Sequence, residues 1–146
     1  MSIKKQEFYE GAALHLLARN VDNLQLRYES PYFILNGEIL VYFKYSTKGR
    51  SPWGFTLNAT ERKELDGCRA EYEMIVGLIC GDDGVAAVSY DELSTLIDHS
   101  VDASHISCYR KHHEHYEVNG PNGTLSFKVA PSAWPRILDK RVTREA

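Results

Sequence analysis

Cysteines are scarce in this sequence and follow no motif. The three present, Cys68, Cys80 and Cys108, are odd in number and widely spaced, and no two of them form a CxxC pair. A zinc ribbon or a dithiol redox site therefore has no support, since both need closely spaced cysteines. Unpatterned thiols are typical of a reducing compartment, so we expect a cytoplasmic protein.

Long hydrophobic runs are also absent. The longest, such as Ile75 to Cys80, fall far short of the roughly 20 apolar residues that a membrane-spanning helix needs. The first residues, Met1 to Glu7, lead into an amphipathic pattern and lack the apolar centre of a secretory signal. We therefore expect an intracellular protein with no membrane partner.

Common catalytic motifs are missing as well. The sequence contains no Gly-x-Ser-x-Gly nucleophile elbow and no glycine-rich phosphate loop, and none of its cysteines has the setting of a nucleophile. Serine, cysteine and P-loop chemistry therefore have no support.

The charges of the chain are segregated. The net charge of the 146 residues is −3, yet residues 71–104 contain eight acids and no lysine or arginine. Residues 105–146 contain seven lysines and arginines against four acids. A chain of this length fits one domain, residues 1–146, and segregation allows it a basic face despite an acidic total.

Hydrophobic periodicity predicts an α/β (α+β) fold, a three-layer mixed sheet with flanking helices. The expected element order is α-β-β-β-α-β-β-α-β-β-β. The first helix is expected over about residues 4–19, and the last residues, 131–146, as a partly frayed tail. The apolar stripe expected on that helix consists of Phe8, Ala12, Ala13, Leu16 and Leu17.

Local signals mark one hairpin and two helix starts. Asn36-Gly37 between two apolar runs predicts a tight hairpin, since both turn positions need positive φ. Asn58 with Glu61 three residues later predicts a capping box, and Ser89 predicts a second one with Glu92.

The most informative segment is the basic and aromatic stretch over residues 43–55. Its cations neutralise phosphates, its hydroxyls donate to phosphate oxygens, and its aromatic faces stack on bases, so the stretch predicts a loop that contacts nucleic acid. The alternative is a solvated turn in which the aromatic rings fill the core. The candidate contacts are Lys48, Arg50, Ser51 and Trp53.

A second basic stretch, residues 109–116, contains three histidines. Adjacent residues in a tight turn point in different directions, whereas metal ligands must converge, so we assign no metal ligand here. A cationic loop between two strands or a plain surface turn fits the stretch. The candidate nucleic-acid contacts are Arg110, Lys111, His112 and His113. The Gly-flanked pair Asp82-Asp83 is interpreted as a turn.

Lys44 occupies an unusual place in the predicted third strand. It ends that strand on the same face as Leu40 and Tyr42, where a lysine is costly to bury unless it is paired. The element order α-β-β-β-α-β, with Lys44 at the end of the third strand, resembles the restriction-endonuclease-like, or PD-(D/E)xK, nuclease family. In that family the third strand ends in an acid, any residue and a lysine. The resemblance implies a nuclease-like core over residues 1–80, with Lys44 and the helix residue Glu10 as candidate catalytic residues.

Two tyrosines depart from the pattern of that family. Its Pro-Asp pair lines up with Pro31-Tyr32, and its strand acid lines up with Tyr42. Magnesium, the cofactor expected for an active nuclease, needs oxygen ligands and activates the attacking water. Either the register differs, or the domain has lost cleavage and kept binding, or another carboxylate compensates, among Glu10, Glu29 and Glu38.

These patterns together predict a nucleic-acid-engaging, nuclease-like domain with weak or no cleavage. Two alternatives stay open. The acidic and basic thirds could pair between subunits, which would make the chain a protein-interaction or assembly module and a homo-oligomer. Convergent acids or histidines would make it a metal-dependent nuclease.

Overall fold

The computed structural model describes residues 1–139 of the chain, which contain three α-helices and nine β-strands. They follow the order α-β-β-β-β-α-β-β-α-β-β-β, which confirms the predicted mixed α/β class. The bounds are α1 Lys5–Ala18, β1 Leu26–Glu29, β2 Tyr32–Leu35, β3 Ile39–Ser46, β4 Trp53–Asn58, α2 Ala59–Gly67, β5 Glu73–Cys80, β6 Gly84–Ser89, α3 Tyr90–Ser94, β7 Ala103–Tyr109, β8 Glu117–Gly120, β9 Gly123–Thr124 and a 3-10 turn Pro131–Ala133.

The strands divide between two sheets. The central sheet is mixed, with the order β1-β2-β3-β5-β6, and its β3 and β5 run parallel from the pair Ile39 and Glu73 to the pair Ser46 and Cys80. The outer sheet is antiparallel, with the order β4-β7-β8-β9. Because parallel neighbours need a crossover connection, β4 and α2 carry the chain from the end of β3 back to the start of β5.

Two hydrophobic cores lie on the two faces of the central sheet. The first is packed between this sheet and α1 and includes Leu17, Val41 and Phe43. The second lies between this sheet and the layer formed by α2, α3 and the outer sheet, and it includes Leu40 and Phe55. Strand β5 is buried at every position except its first, as expected of a strand covered on both faces. The domain therefore has three layers.

Strand β4 is absent from the element order predicted by hydrophobic periodicity. It pairs antiparallel with β7, with Trp53 opposite Cys108, and starts the outer sheet. Its alternating burial, with Trp53, Phe55 and Leu57 facing the core, is a strand pattern, but only six residues carry it. A run this short beside a loop gives a weak periodic signal.

The predicted apolar stripe of α1 is wrong in part. Ala13 and Leu17 are buried as expected, but Phe8 is 64% exposed and Ala12 is exposed as well. Glu10 takes a core-facing position in their place. A prediction from hydrophobic periodicity treats every carboxylate as solvent-exposed. It therefore misplaces the buried face of α1, which includes Glu10.

The predicted frayed tail does not hold for residues 131–139. Trp134 is fully buried, and its indole Nε1 donates a hydrogen bond to the Ala13 carbonyl at 2.8 Å. This contact fastens the C-terminal segment to α1. Residues 140–146 lie outside the described part of the chain.

The turn at Asn36-Gly37 and the capping box of Asn58 with Glu61 are confirmed, whereas Ser89 is a helix N-cap without the reciprocal bond of a capping box, because the Glu92 side chain accepts from the Ser89 hydroxyl. Asn36 and Gly37 both have positive φ, 50° and 68°. The Asn58 side chain accepts from the Glu61 amide, and the Glu61 side chain accepts from the Asn58 amide, which closes the first capping box. The Ser89 hydroxyl accepts from the amide of Glu92 at the start of α3. No helix within residues 1–139 is long and apolar enough to cross a bilayer.

Gly77 in β5 lies directly against Phe43 in β3, and this contact predicts a stability effect. A Cβ at position 77 would lie 2.7 Å from the Phe43 ring. That ring is held by Phe33 and Trp134, whose ring centroids lie 5.8 and 5.4 Å away. Because overpacking strains a closed core, we expect Gly77→Ala to lower the free energy of unfolding by about 1–3 kcal/mol, measured by urea denaturation.

Gly11 in α1 supplies the matched control. A Cβ there would meet no atom within 4 Å. We expect Gly11→Ala to raise the free energy of unfolding by about 0.5–1 kcal/mol, because alanine favours a helix over glycine. An unchanged denaturation midpoint for Gly77→Ala would contradict the described packing.

Candidate functional site

Lys44 is held in a polar cluster on the face of β3 toward α2. Its Nζ lies 2.8 Å from Glu61 Oε2, and the two side chains are only 22% and 17% exposed. The Tyr42 hydroxyl donates to the same carboxylate oxygen. The other oxygen, Oε1, accepts from the Asn58 amide at 2.9 Å. We call Tyr42, Lys44, Asn58 and Glu61 the lysine cluster.

The lysine cluster shifts the pKa values of Glu61 and Tyr42 in opposite directions. Burial alone would raise the pKa of Glu61, but hydrogen bonds from the Asn58 amide, Lys44 and Tyr42 hold that pKa below its ordinary value. Burial and the adjacent Glu61 carboxylate raise the pKa of Tyr42. Burial also raises the pKa of Tyr32, whose ring packs edge-on against Tyr42, to about 12. Both phenols are therefore neutral at physiological pH.

The lysine cluster does not fit the magnesium site that the nuclease resemblance implies. Tyr32 and Tyr42 are the residues that the resemblance aligns with the carboxylates of that family, and a neutral phenol is a poor ligand for a hard cation. Both oxygens of Glu61 are already engaged by Lys44, Tyr42 and the helix cap. Within residues 1–139, no three His, Cys, Asp or Glu side chains are grouped as metal ligands.

Glu10, the second predicted catalytic residue, lies apart from Lys44. It belongs to α1, which packs on the opposite face of the central sheet. Burial raises the pKa of Glu10, an effect that a 2.7 Å hydrogen bond from the Gln6 side-chain amide partly offsets. The carboxylate that the fold brings to Lys44 is Glu61 of α2 instead.

The two predicted nucleic-acid loops meet at one concave site, which we call the basic pocket. The loop after β3 forms one wall and the loop after β7 forms the other, around a volume of about 670 Å³. The lining residues are Gly49, Arg50, Ser51, Trp53, Asp83, Arg110, Lys111, His112 and His113.

Three hydrogen bonds tie the walls of the basic pocket together. The Ser51 hydroxyl donates to the Arg110 carbonyl at 3.1 Å, which joins the two loops directly. Asp83, in the turn between β5 and β6, accepts from Arg110 Nη1 at 2.8 Å and from the Tyr116 hydroxyl at 2.6 Å. Burial, then the bond to Asp83, raises the pKa of Tyr116. The bond to Asp83 likewise raises the pKa of Arg110.

The predicted contact residues take different roles. Trp53 is 2% exposed, and its Nε1 donates to the Lys48 carbonyl at 3.0 Å, so its ring belongs to the core. Ser51 and Arg110 hold the pocket walls. Lys48 is exposed but does not line the basic pocket.

Four lining side chains remain available to a ligand. Within the described residues, no side-chain hydrogen bond or ion pair engages Arg50, Lys111, His112 or His113. The imidazole rings of His112 and His113 contact each other, with their centroids 3.7 Å apart. His113 has a φ of 63°, which turns the loop at its tip. The basic pocket therefore presents two cations and two imidazoles, with Arg110 neutralised by Asp83.

Two acids with central roles were not expected from the sequence. The sequence predicts a helix cap for Glu61 and a turn for Asp83, and the structure has both. Each also bonds a residue far away in the chain, Lys44 or Arg110. The capping box gave a usable signal for the position of Glu61, but no local signal indicates its partner.

Comparison of the chain with protein-family models, with curated proteins and with solved structures finds no match.

The lysine cluster predicts a pH-dependent stability effect. Glu61→Gln keeps an acceptor for the Asn58 amide but removes the charge that pairs with Lys44. We expect a loss of about 1–3 kcal/mol in the free energy of unfolding at pH 7, because a half-buried ammonium loses its partner. Urea denaturation of the variant and the parent chain at several pH values measures the difference.

The sign of the pH dependence follows from the lowered pKa of Glu61. The carboxylate stabilises the folded state fully above the unfolded pKa of about 4.3. That contribution is lost as the pH falls through the lower folded pKa, so the difference between the two proteins should shrink in acid. Glu64→Gln, at an exposed position of the same helix, should change stability by less than about 0.5 kcal/mol. A difference that is constant from neutral to acid pH would refute the assignment.

Proposed function

We propose that this chain binds nucleic acid through the basic pocket and has little or no cleavage activity. The observation that carries the proposal is the convergence of two loops, far apart in sequence, on one concave site whose cations Arg50 and Lys111 lack acidic partners in the described residues. Charged side chains without partners on one concave surface attract a polyanion and raise its local concentration.

The chemistry of the basic pocket suits phosphate and base contacts. Arg50 offers a planar guanidinium that can bind phosphate oxygens in pairs, and Lys111 offers a point charge. His112 and His113 are exposed rings that can donate to phosphate or stack against a base. Trp53 supports the loop from inside the core and is not needed as a stacking surface.

The lysine cluster supports binding without cleavage. A nuclease of the PD-(D/E)xK type would need free carboxylate oxygens beside Lys44 to hold the metal that activates water. Here both oxygens of the carboxylate beside Lys44 already accept hydrogen bonds, three in all, and the resemblance aligns tyrosines with the acids of that family. We therefore propose a nuclease-like domain in which this lysine has a structural role.

Removal of the free cations should weaken binding in a salt-dependent way. We expect Arg50→Ala with Lys111→Ala to lower affinity for short single-stranded DNA and RNA, measured by fluorescence anisotropy over a salt series. The slope of log K against log salt should shrink by about 0.7 for each phosphate of the single strand that the variant no longer neutralises.

A charge-matched pair of substitutions separates the basic pocket from general charge. Arg19→Ala with Lys63→Ala removes the same net charge from exposed positions that do not line the basic pocket. This control should retain most of the affinity. Undetectable binding of the parent chain at low salt, or equal losses in the two double variants, would refute the proposal.

Cleavage should be absent under standard nuclease conditions. We expect the parent chain with Mg²⁺ or Mn²⁺ to nick supercoiled plasmid no faster than Lys44→Met, because the lysine cluster offers no free carboxylate. Agarose gel electrophoresis over time measures nicking. Metal-dependent nicking that disappears in Lys44→Met would instead establish a metal-dependent nuclease.

An assembly role is the second candidate, and one observation favours it. Strand β1, at one edge of the central sheet, is exposed and can pair with another strand. Strand addition at that edge is compatible with nucleic-acid binding, because the basic pocket is built from other elements.

A further inference from the structure

Strand β1 leaves one edge of the central sheet open. It pairs with β2 on one side, and within residues 1–139 no strand pairs with its other side. All four of its residues are exposed, with Leu26 at 45% and Tyr28 at 61%. Exposed edges are usually protected by short length, charged side chains, a proline or a bulge. Strand β1 is short and carries Arg27 and Glu29, but residues 26–29 contain no proline or lysine and their register with β2 is regular, so its backbone is not blocked and its two charges are of opposite sign.

The hydrogen-bond pattern determines which backbone groups of β1 are available. The Gln25 carbonyl accepts from the Asn36 amide at 2.8 Å, so the backbone of residue 25 faces β2. Backbone groups face alternate sides along an antiparallel strand. Arg27 and Glu29 therefore also face β2, whereas Leu26 and Tyr28 direct their N–H and C=O groups outward.

The two faces of β1 differ in chemistry. Tyr28 packs on Phe33 with ring centroids 4.9 Å apart, on the face that carries α1. Phe8 of α1 is 64% exposed, so this side presents exposed aromatic rings. The other face carries Arg27 and Glu29, whose Nε and Oε1 atoms lie 3.4 Å apart and whose side chains are each more than half exposed. Arg27 Nη2 also donates to the Tyr72 hydroxyl at 3.0 Å. The strand thus presents one apolar face and one face with both charges.

We propose that β1 pairs antiparallel with β1 of a second copy of this chain, about a twofold axis at Tyr28. In this register the outward N–H and C=O groups of the two Tyr28 residues bond each other, and the central sheets join into one. Arg27 of each copy then lies directly opposite Glu29 of the other, as a cross-strand pair of opposite charge.

Charge selects this register over its neighbours. An axis at Arg27 would place two arginines opposite each other, and an axis at Glu29 would oppose two glutamates. Like charges directly opposite on a sheet are destabilising. The axis at Tyr28 satisfies the backbone pattern and the charges together, so the edge is complementary to itself, as an isologous interface requires. A four-residue strand makes a small interface, so we expect a dimer that dissociates on dilution.

Two single charge reversals and their mixture test the proposal. Arg27→Glu presents only glutamates on this face, and Glu29→Arg presents only arginines. Each variant alone should dimerise about tenfold or more weakly than the parent chain, because both cross-strand pairs become repulsive. An equimolar mixture should form a heterodimer, because every pair is again of opposite charge. Sedimentation velocity over a concentration series measures all three samples.

Additional variants exclude trivial explanations. The double variant Arg27→Glu with Glu29→Arg should dimerise like the parent chain, and Tyr28→Lys should be monomeric. These side chains are exposed, so the folding of each variant is checked by circular dichroism and thermal denaturation. A parent chain that stays monomeric at high concentration would overturn the proposal. So would a dimer that survives both single reversals, or a mixture that forms no heterodimer. None of these outcomes depends on nucleic-acid binding.

Discussion

The parallel pairing of β3 with β5 is the interaction on which the rest of the structure depends. Both strands are covered on both faces, by α1 on one side and by the outer layer on the other. Because parallel strands end at the same edge of a sheet, the Gly81 amide bonds the Ser46 carbonyl at 3.0 Å. A Cβ at Gly81, whose φ is 57°, would lie 2.2 Å from the Lys48 carbonyl, so glycine is needed there. The close approach of Gly81 to the backbone of Ser46 and Lys48 places the loop after β3, one wall of the basic pocket, next to the turn that carries Asp83.

The same parallel pair explains the lysine cluster. A crossover must return the chain from β3 to β5, and here it consists of β4 followed by α2. The capping box at the start of α2 orients Glu61, and the packing of α2 over β3 brings its carboxylate to Lys44. One glutamate therefore caps a helix, neutralises a half-buried ammonium and bonds a phenol. Both oxygens of this carboxylate therefore already accept hydrogen bonds within the fold, which is consistent with the structural role proposed for Lys44.

The two proposed surfaces lie at different places on the domain. Strand β1 is one edge strand of the central sheet and β6 is the other, and Asp83 of the basic pocket directly precedes β6. A dimer formed through β1 would thus leave both basic pockets open to ligand. Two linked sites on one nucleic-acid strand bind more tightly than either alone when the strand can span them.

Local features of this protein were determined by the sequence itself. The turn at Asn36-Gly37, the helix caps at Asn58 and Ser89 and the two faces of β3 each depend on residues a few positions apart, so composition and spacing are sufficient to predict them. Only the tertiary structure decided that Lys44 meets Glu61, that Arg110 meets Asp83, and that Trp53 fills the core. Those partners are far apart in the chain and come together through the order of strands in two sheets. The order of the strands follows from the packing of the whole domain, since each strand must bury its apolar face. No short stretch of sequence is therefore sufficient to predict that order.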